Sequence, residues 1–298
     1  NLISVGYLTG AVSHIYNNTS MFKNIGGTNI LDLKNYSAPV SLGDWGTLPT
    51  SGLVLWLRAD SLQLNDGDAI TSWKDVSGNG HEFIQGTGSA QPTFILDGGS
   101  AVNNRPLVDF DGNDHLSKNF DATLNTNEVS TFVVAIVDTD DNGIHGIIES
   151  SDNSPVAFAG FFLCGRMDTT NNRWQFSSNG VSLFTLSNTL VAAQPTIITA
   201  SITGGNGVGG NALHSLSVNG ATPTTATAPY NKADAGSYIL GRVPSAISLD
   251  GLNGKIAEVV QFNRLLTANE ILQWESYLSI KYGITIPNQY KSPNPYFT

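Results

Sequence analysis

The chain has 298 residues, 40% of them hydrophobic and 13% charged, which suits a buried core and does not resemble a disordered segment. A formal charge of −10 and a pI near 4.7 oppose binding to nucleic acid or anionic membranes, because the summed field repels both. No apolar run approaches the roughly 20 residues that cross a bilayer, so membrane insertion is not expected.

The single Cys164 can form no internal disulfide, and in the run Phe161-Phe162-Leu163-Cys164 it reads as a buried, inert thiol. The first residue, Asn1, is not methionine and is read as a processed or trimmed start, with secretion left open. Residues 1–50 carry many apolar side chains, among them Val5, Tyr7, Ile15 and Phe22, broken by Pro39 and Pro49. They read as an N-terminal arm that packs either on its own domain or on an assembly partner.

Residues 51–287 read as one large all-β domain, and 288–298, with Pro293 and Pro295, as a C-terminal tail. Short β-rich runs are expected near 53–58, 69–74, 81–85, 93–96, 107–111, 131–138, 144–149 and 156–164. Further runs follow near 173–178, 182–186, 196–203, 212–219, 237–242 and 255–263. Between them stand residues that tolerate positive φ, as in Ser77-Gly78-Asn79-Gly80, Asp111-Gly112-Asn113, Ser178-Asn179-Gly180 and Asn219-Gly220. The stretch Asp138-Thr139-Asp140-Asp141-Asn142-Gly143, with Glu149 in the twelfth place, formally matches a calcium loop. β-rich runs flank it instead of helices, so a hairpin is expected there.

The last strand runs into the chain's one expected helix. Thr267 with Glu270 forms a capping box, Ile271, Trp274 and Leu278 recur at helical spacing, and Gly283 follows Lys281 as a stop. In the strand before it, alternation groups Ile256, Glu258, Val260 and Phe262 on one face.

Four motifs occur in order: Leu55-Trp56-Leu57-Arg58-Ala59-Asp60, Thr71-Ser72-Trp73-Lys74-Asp75 through His81, Arg105-Pro106-Leu107-Val108-Asp109-Phe110-Asp111-Gly112-Asn113-Asp114, and the closing strand with its helix through Ile284. Over about residues 52–286 the chain thereby resembles the laminin-G-like branch of the concanavalin A-like lectin/glucanase superfamily. The resemblance implies a jelly-roll sandwich of two curved antiparallel sheets; the expected fold adds to it the one C-terminal helix and an N-terminal extension, residues 1–50, that has no counterpart in the family pattern. The resemblance also implies an extracellular, cell-surface or virion setting, lectin-like binding or cell adhesion, and often a structural Ca2+ ion.

A carboxylate at Glu258 among apolar neighbours needs donors, a cation or a raised pKa. Calcium would supply the cation, with Asp75 and Glu258 as side-chain ligands and carbonyls near Asn79 and His81 completing the shell. The alternative is that Asp75 and Asn79 cap their turn while Glu258 accepts hydrogen bonds from Trp or backbone donors. Asp109, Asp111 and Asp114 form a second acidic group, read either as an Asx turn or as a metal site. Sugar binding uses flat rings beside polar groups, and Trp45, Trp174 and Tyr230 are the candidates, while Trp56, Trp73 and Trp274 follow core patterns.

No strand motif of paired carboxylates and no Gly-x-Ser-x-Gly elbow is present, so the chain is expected not to be an enzyme. The resulting expectation is a recognition or adhesion module for surface glycans within a larger assembly. Two alternatives stand beside it: a decoration or fibre component of a bacteriophage particle or bacterial surface layer, and a glycoside hydrolase or polysaccharide lyase.

Overall fold

The structure is a computed structural model that describes residues 22–25, 28–31, 48–138, 143–152, 159–167, 171–178, 181–184, 188–204, 210–243 and 250–290. The chain divides into two units, Asn1–Leu48 with Lys291–Thr298, and Pro49–Tyr290. In the first, strand β1 (Phe22–Ile25) pairs antiparallel with β2 (Thr28–Leu31).

The second unit holds the sandwich. Its strands begin with β3 (Leu53–Arg58), β4 (Ser72–Lys74), β5 (Glu82–Ile84), β6 (Thr93–Ile95), β7 (Leu107–Asp111), β8 (Leu116–Lys118) and β9 (Val129–Val137). Next come β10 (Ile144–Asp152), β11 (Ala159–Arg166), β12 (Arg173–Ser178), β13 (Val181–Phe184), β14 (Thr196–Ile202), β15 (Asn211–Val218) and β16 (Thr224–Pro229). The last are β17 (Tyr238–Leu240), β18 (Arg242–Val243), β19 (Asp250–Gly251) and β20 (Asn253–Phe262), followed by helix α1 (Ala268–Tyr282). One sheet runs β13-β12-β11-β10-β17-β8-β5-β4, the other β16-β15-β14-β9-β20-β7-β6 with β3 also on β20. The pairings within both sheets are antiparallel, so the all-β antiparallel sandwich read from the sequence is the observed architecture.

Between the sheets, alternate side chains of each strand meet in one core that includes Leu55, Leu57, Trp73, Phe83, Phe161, Phe176, Tyr238 and Val259. Phe83 and Tyr238 meet edge to face at 5.4 Å. Tyr238 and Gln261 match each other in this core: Tyr238 Oη donates to Gln261 Oε1 at 2.7 Å, and Gln261 Nε2 donates to the Leu124 carbonyl at 2.8 Å. Those bonds fix the Leu124 turn against the interior.

The far side of the second sheet carries another apolar layer, roofed by α1. Trp274 is fully buried there, edge-on to Trp56 at 5.3 Å and Phe262 at 5.7 Å, with its Nε1 donating to the Pro49 carbonyl at 3.1 Å. The helix starts and stops where the sequence places its caps: Thr267 and Glu270 form the reciprocal capping box, and Gly283 takes the left-handed C-cap at φ 68°.

Arg264 grips Glu270 through two nitrogens, at 2.6 and 3.0 Å, and that guanidinium holds the carboxyl down at about 2 from an ordinary 4.5. A carboxyl depressed in the folded state stabilises above its unfolded pKa and loses that contribution as pH falls through the folded one. Thermal unfolding followed from pH 4.5 down to about 2 is therefore expected to fall less steeply in Arg264→Gln than in the parent chain.

Three expectations need correction. Residues 139–142 lie outside the described residues, yet β9 and β10, which they join, sit in different sheets, so the link is a crossover and not a hairpin. Strands β8 and β16 were not expected, because one is three residues long and the other is made of Thr, Ala and Pro with little apolar signal. Finally, Ile256 does not share a face with Glu258. The register against β9 slips between them, and this bulge at Ala257 leaves Ile256 in the inter-sheet core while turning Glu258 toward α1.

Candidate functional site

The residues expected to bind calcium are spent on protein contacts. Asp75 Oδ1 accepts from the Trp56 and Ser77 backbone N–H groups, both at 2.8 Å, and its Oδ2 accepts from Ser77 Oγ at 2.6 Å. Asn79 Nδ2 donates to the Leu53 and Val54 carbonyls at 3.0 and 3.2 Å. These bonds tie the β4–β5 loop to β3. His81 is buried, with Nδ1 3.4 Å from Asp121 Oδ2, and burial lowers its pKa.

Glu258 lies apart from them, fully buried under α1. Its Oε1 accepts from Trp56 Nε1 at 2.5 Å, and its Oε2 from Lys281 Nζ at 2.6 Å and Tyr282 Oη at 2.7 Å. Lys281 also reaches Asp60 at 3.0 Å, and Asp60 meets Arg58 at 3.0 Å. Burial, then the Glu258 charge, pushes the Tyr282 phenol far up, so it stays a donor. Among the described residues no group of three or more His, Cys, Asp or Glu is arranged to hold a metal ion. The structure does not bring the four expected calcium ligands together: Asp75 and Asn79 cap their turn, His81 meets Asp121, and Glu258 belongs to a separate clamp on α1. The Asp111 group is likewise an Asx turn: Oδ1 of Asp111 accepts from Asn113 N at 2.8 Å, and burial pushes neighbouring Asp114 up to about 6.

The aromatic candidates fare no better. Trp174 is fully buried in the inter-sheet core, opposite Gly165 across the β11–β12 pair. Tyr230 is 2% exposed and donates from its hydroxyl to the Thr126 carbonyl at 3.0 Å. Neither ring has a face open to a sugar. Trp45 lies outside the described residues. A Ser–His pair does occur, Ser178 Oγ against His214 Nε2, but both are buried between the sheets beside Phe176 and Tyr230.

The open chemistry lies at the free edge of the first sheet. Alternation sends Trp73 and Phe83 into the core and turns Ser72, Lys74, Glu82 and Ile84 outward. A cavity of about 360 Å³ forms between the outer side of β4 and the segment that leaves β3. Leu62, Leu64, Ala69 and Val76 give it aliphatic walls, and Leu62 and Leu64 rest on the core behind. Ser61, Gln63, Thr71, Ser72 and Lys74 supply hydroxyl, amide and ammonium groups. Ser61 is set by a short 3-10 turn, Ala59–Ser61, in which its hydroxyl donates to the Arg58 carbonyl at 2.7 Å. The arrangement can hold a small hydroxylated molecule against aliphatic carbon. Sequence reasoning missed it because these residue types form no motif; the one signal was a pair of leucines, Leu62 and Leu64, outside any expected strand.

No protein-family model and no curated protein sequence matches the chain. Among solved structures, it is similar to Trypanosoma rangeli sialidase in complex with sialic acid, with a TM-score of 0.52 at 13% identity over 94% of this chain and 40% of that one. It is similar to the same sialidase in complex with a difluoro-KDN ligand, with a TM-score of 0.51 at 15% identity over 78% of this chain and 33% of that one. The binding domain of Paraclostridial Mosquitocidal Protein 1 gives 0.51 at 13% identity over 76% of this chain and 52% of that one. The chain therefore spans between a third and about half of the chains it matches. Sialidases are enzymes, and this overturns the expectation of a chain set apart from enzymes: lacking a paired-acid strand motif does not separate it from them. At these identities the shared property is the β-sandwich fold.

Proposed function

We propose that the chain is a carbohydrate-recognition module of the laminin-G-like branch that works within a larger assembly at a cell or particle surface. Its ligand sits in the cavity between Ser61–Leu64 and the outer side of β4. The observation that carries this reading is the cavity itself. Its volume of about 360 Å³ falls in the range of small-molecule sites, which are mostly apolar with a few placed polar groups. Aliphatic walls suit the C–H face of a sugar ring, and Ser61, Gln63, Thr71 and Ser72 can exchange hydrogen bonds with its hydroxyls.

The carbohydrate class comes from proteins of like fold, one of them a sialidase solved with sialic acid; the location comes from this chain's geometry. A glycan array probed with the full chain tests the reading. Binding to a defined set of oligosaccharides is expected, and silence across the array would overturn it.

A further inference from the structure

We infer that the cavity selects neutral sugar units and disfavours carboxylated ones. The inference rests on the recognition reading above and narrows its ligand. Lys74 supplies the one ammonium in the cavity lining. It is not free of charge partners: its Nζ stands 4.0 Å from Glu82 Oε1, and the same carboxylate accepts from Ser72 Oγ. Lys74 is 78% exposed and Glu82 46% exposed, so the two form a loose pair at the rim.

Among the described residues, the other cations near this end of β3 are committed. Arg58 is engaged with Asp60, while Lys281 is held by both Asp60 and Glu258. The carboxylates next to the lining in sequence are held elsewhere, Asp60 by Arg58 and Lys281, Asp68 by Asn65 and Asp75 by Trp56 and Ser77, which leaves Glu82 as the carboxylate that faces Lys74. The chain as a whole carries −10. A carboxylated sugar drawn to Lys74 must therefore compete with Glu82 and then face it, in a field that is already negative.

A neutral sugar can use the pair as it stands. Lys74 donates to one hydroxyl and Glu82 accepts from its neighbour, so neither charge is displaced. With one repulsive contact at about 4 Å in a wet rim, the discrimination is expected to be about fivefold to tenfold.

The test uses the full chain on an array of matched pairs, each neutral galactose-terminated oligosaccharide beside the same chain capped with sialic acid. The neutral member of each pair is expected to bind about fivefold to tenfold tighter. In Glu82→Gln, which leaves Lys74 unpaired, the ratio of capped to neutral binding should rise several-fold, and added salt should narrow the gap in the parent chain. Equal or tighter binding of the capped forms by the parent chain would overturn the inference while leaving carbohydrate recognition standing. Binding to neither member overturns the recognition reading, and the selectivity with it.

Discussion

Replacing Lys281 by methionine is expected to cost the fold about 3–5 kcal/mol, the loss found when one partner of a buried ion pair is removed. Glu258 has no exposure, and among the described residues Lys281 supplies the one cation paired with it, at 2.6 Å; Trp56 and Tyr282 are neutral donors that cannot replace the charge. The variant also removes one of the two cations on Asp60, although Arg58 remains. At about 2–4 °C per kcal/mol for a domain of this size, the midpoint of thermal unfolding should drop by roughly 10 °C. Adding Glu258→Gln should recover part of the loss, because the amide oxygen still accepts from Trp56 and Tyr282 and no charge is left uncompensated. Denaturant titration of parent, single and double variants reads both effects. A single-variant loss below about 1 kcal/mol would show that α1 is not clamped through this pair.

Trp174→Ala should be about as damaging, at roughly 3–5 kcal/mol, since a fully buried indole leaves a cavity its surroundings only partly fill. Its neighbours explain why the site cannot simply close. A side chain built at Gly165, opposite Trp174, would stand 3.1 Å from Leu190 and from Val137. Packing on that side is already tight, and the ring is held by it. Glycan binding by the folded fraction should be unchanged, because Trp174 does not line the edge cavity. A Trp174→Ala chain with parental stability and lost binding would reinstate the tryptophan as a sugar platform.

Features set by neighbours in sequence were legible. The helix caps at Thr267 and Gly283 depend on residues within a turn or so, and both were read correctly. The turn at Asn219-Gly220 was legible for the same reason; both residues take positive φ, at 48° and 67°, directly after β15 ends at Val218. What depended on distant partners was not. The bulge at Ala257 is created by register with β9, and nothing in the strand's own alternation announces it. Glu258 was recognised as a carboxylate needing compensation, but the cation arrived from residue 281 instead of from solution.

Trp174 shows a signal that was present and outweighed. Its alternation with Phe176 already places it on the inward face, and the preceding Asn171-Asn172 loop drew the reading outward. The edge cavity, in turn, is made from serines, leucines and a threonine that only the fold brings together.

Filling that cavity tests the central claim most directly. Ala69→Trp places an indole into the aliphatic wall from an exposed position, where the cost to stability should stay within about 1 kcal/mol. Titrated with an oligosaccharide that the parent chain binds, the variant should show at least about a tenfold weaker Kd with its unfolding midpoint nearly unchanged. Parental affinity in the blocked variant would contradict the account and move the ligand elsewhere on the sandwich.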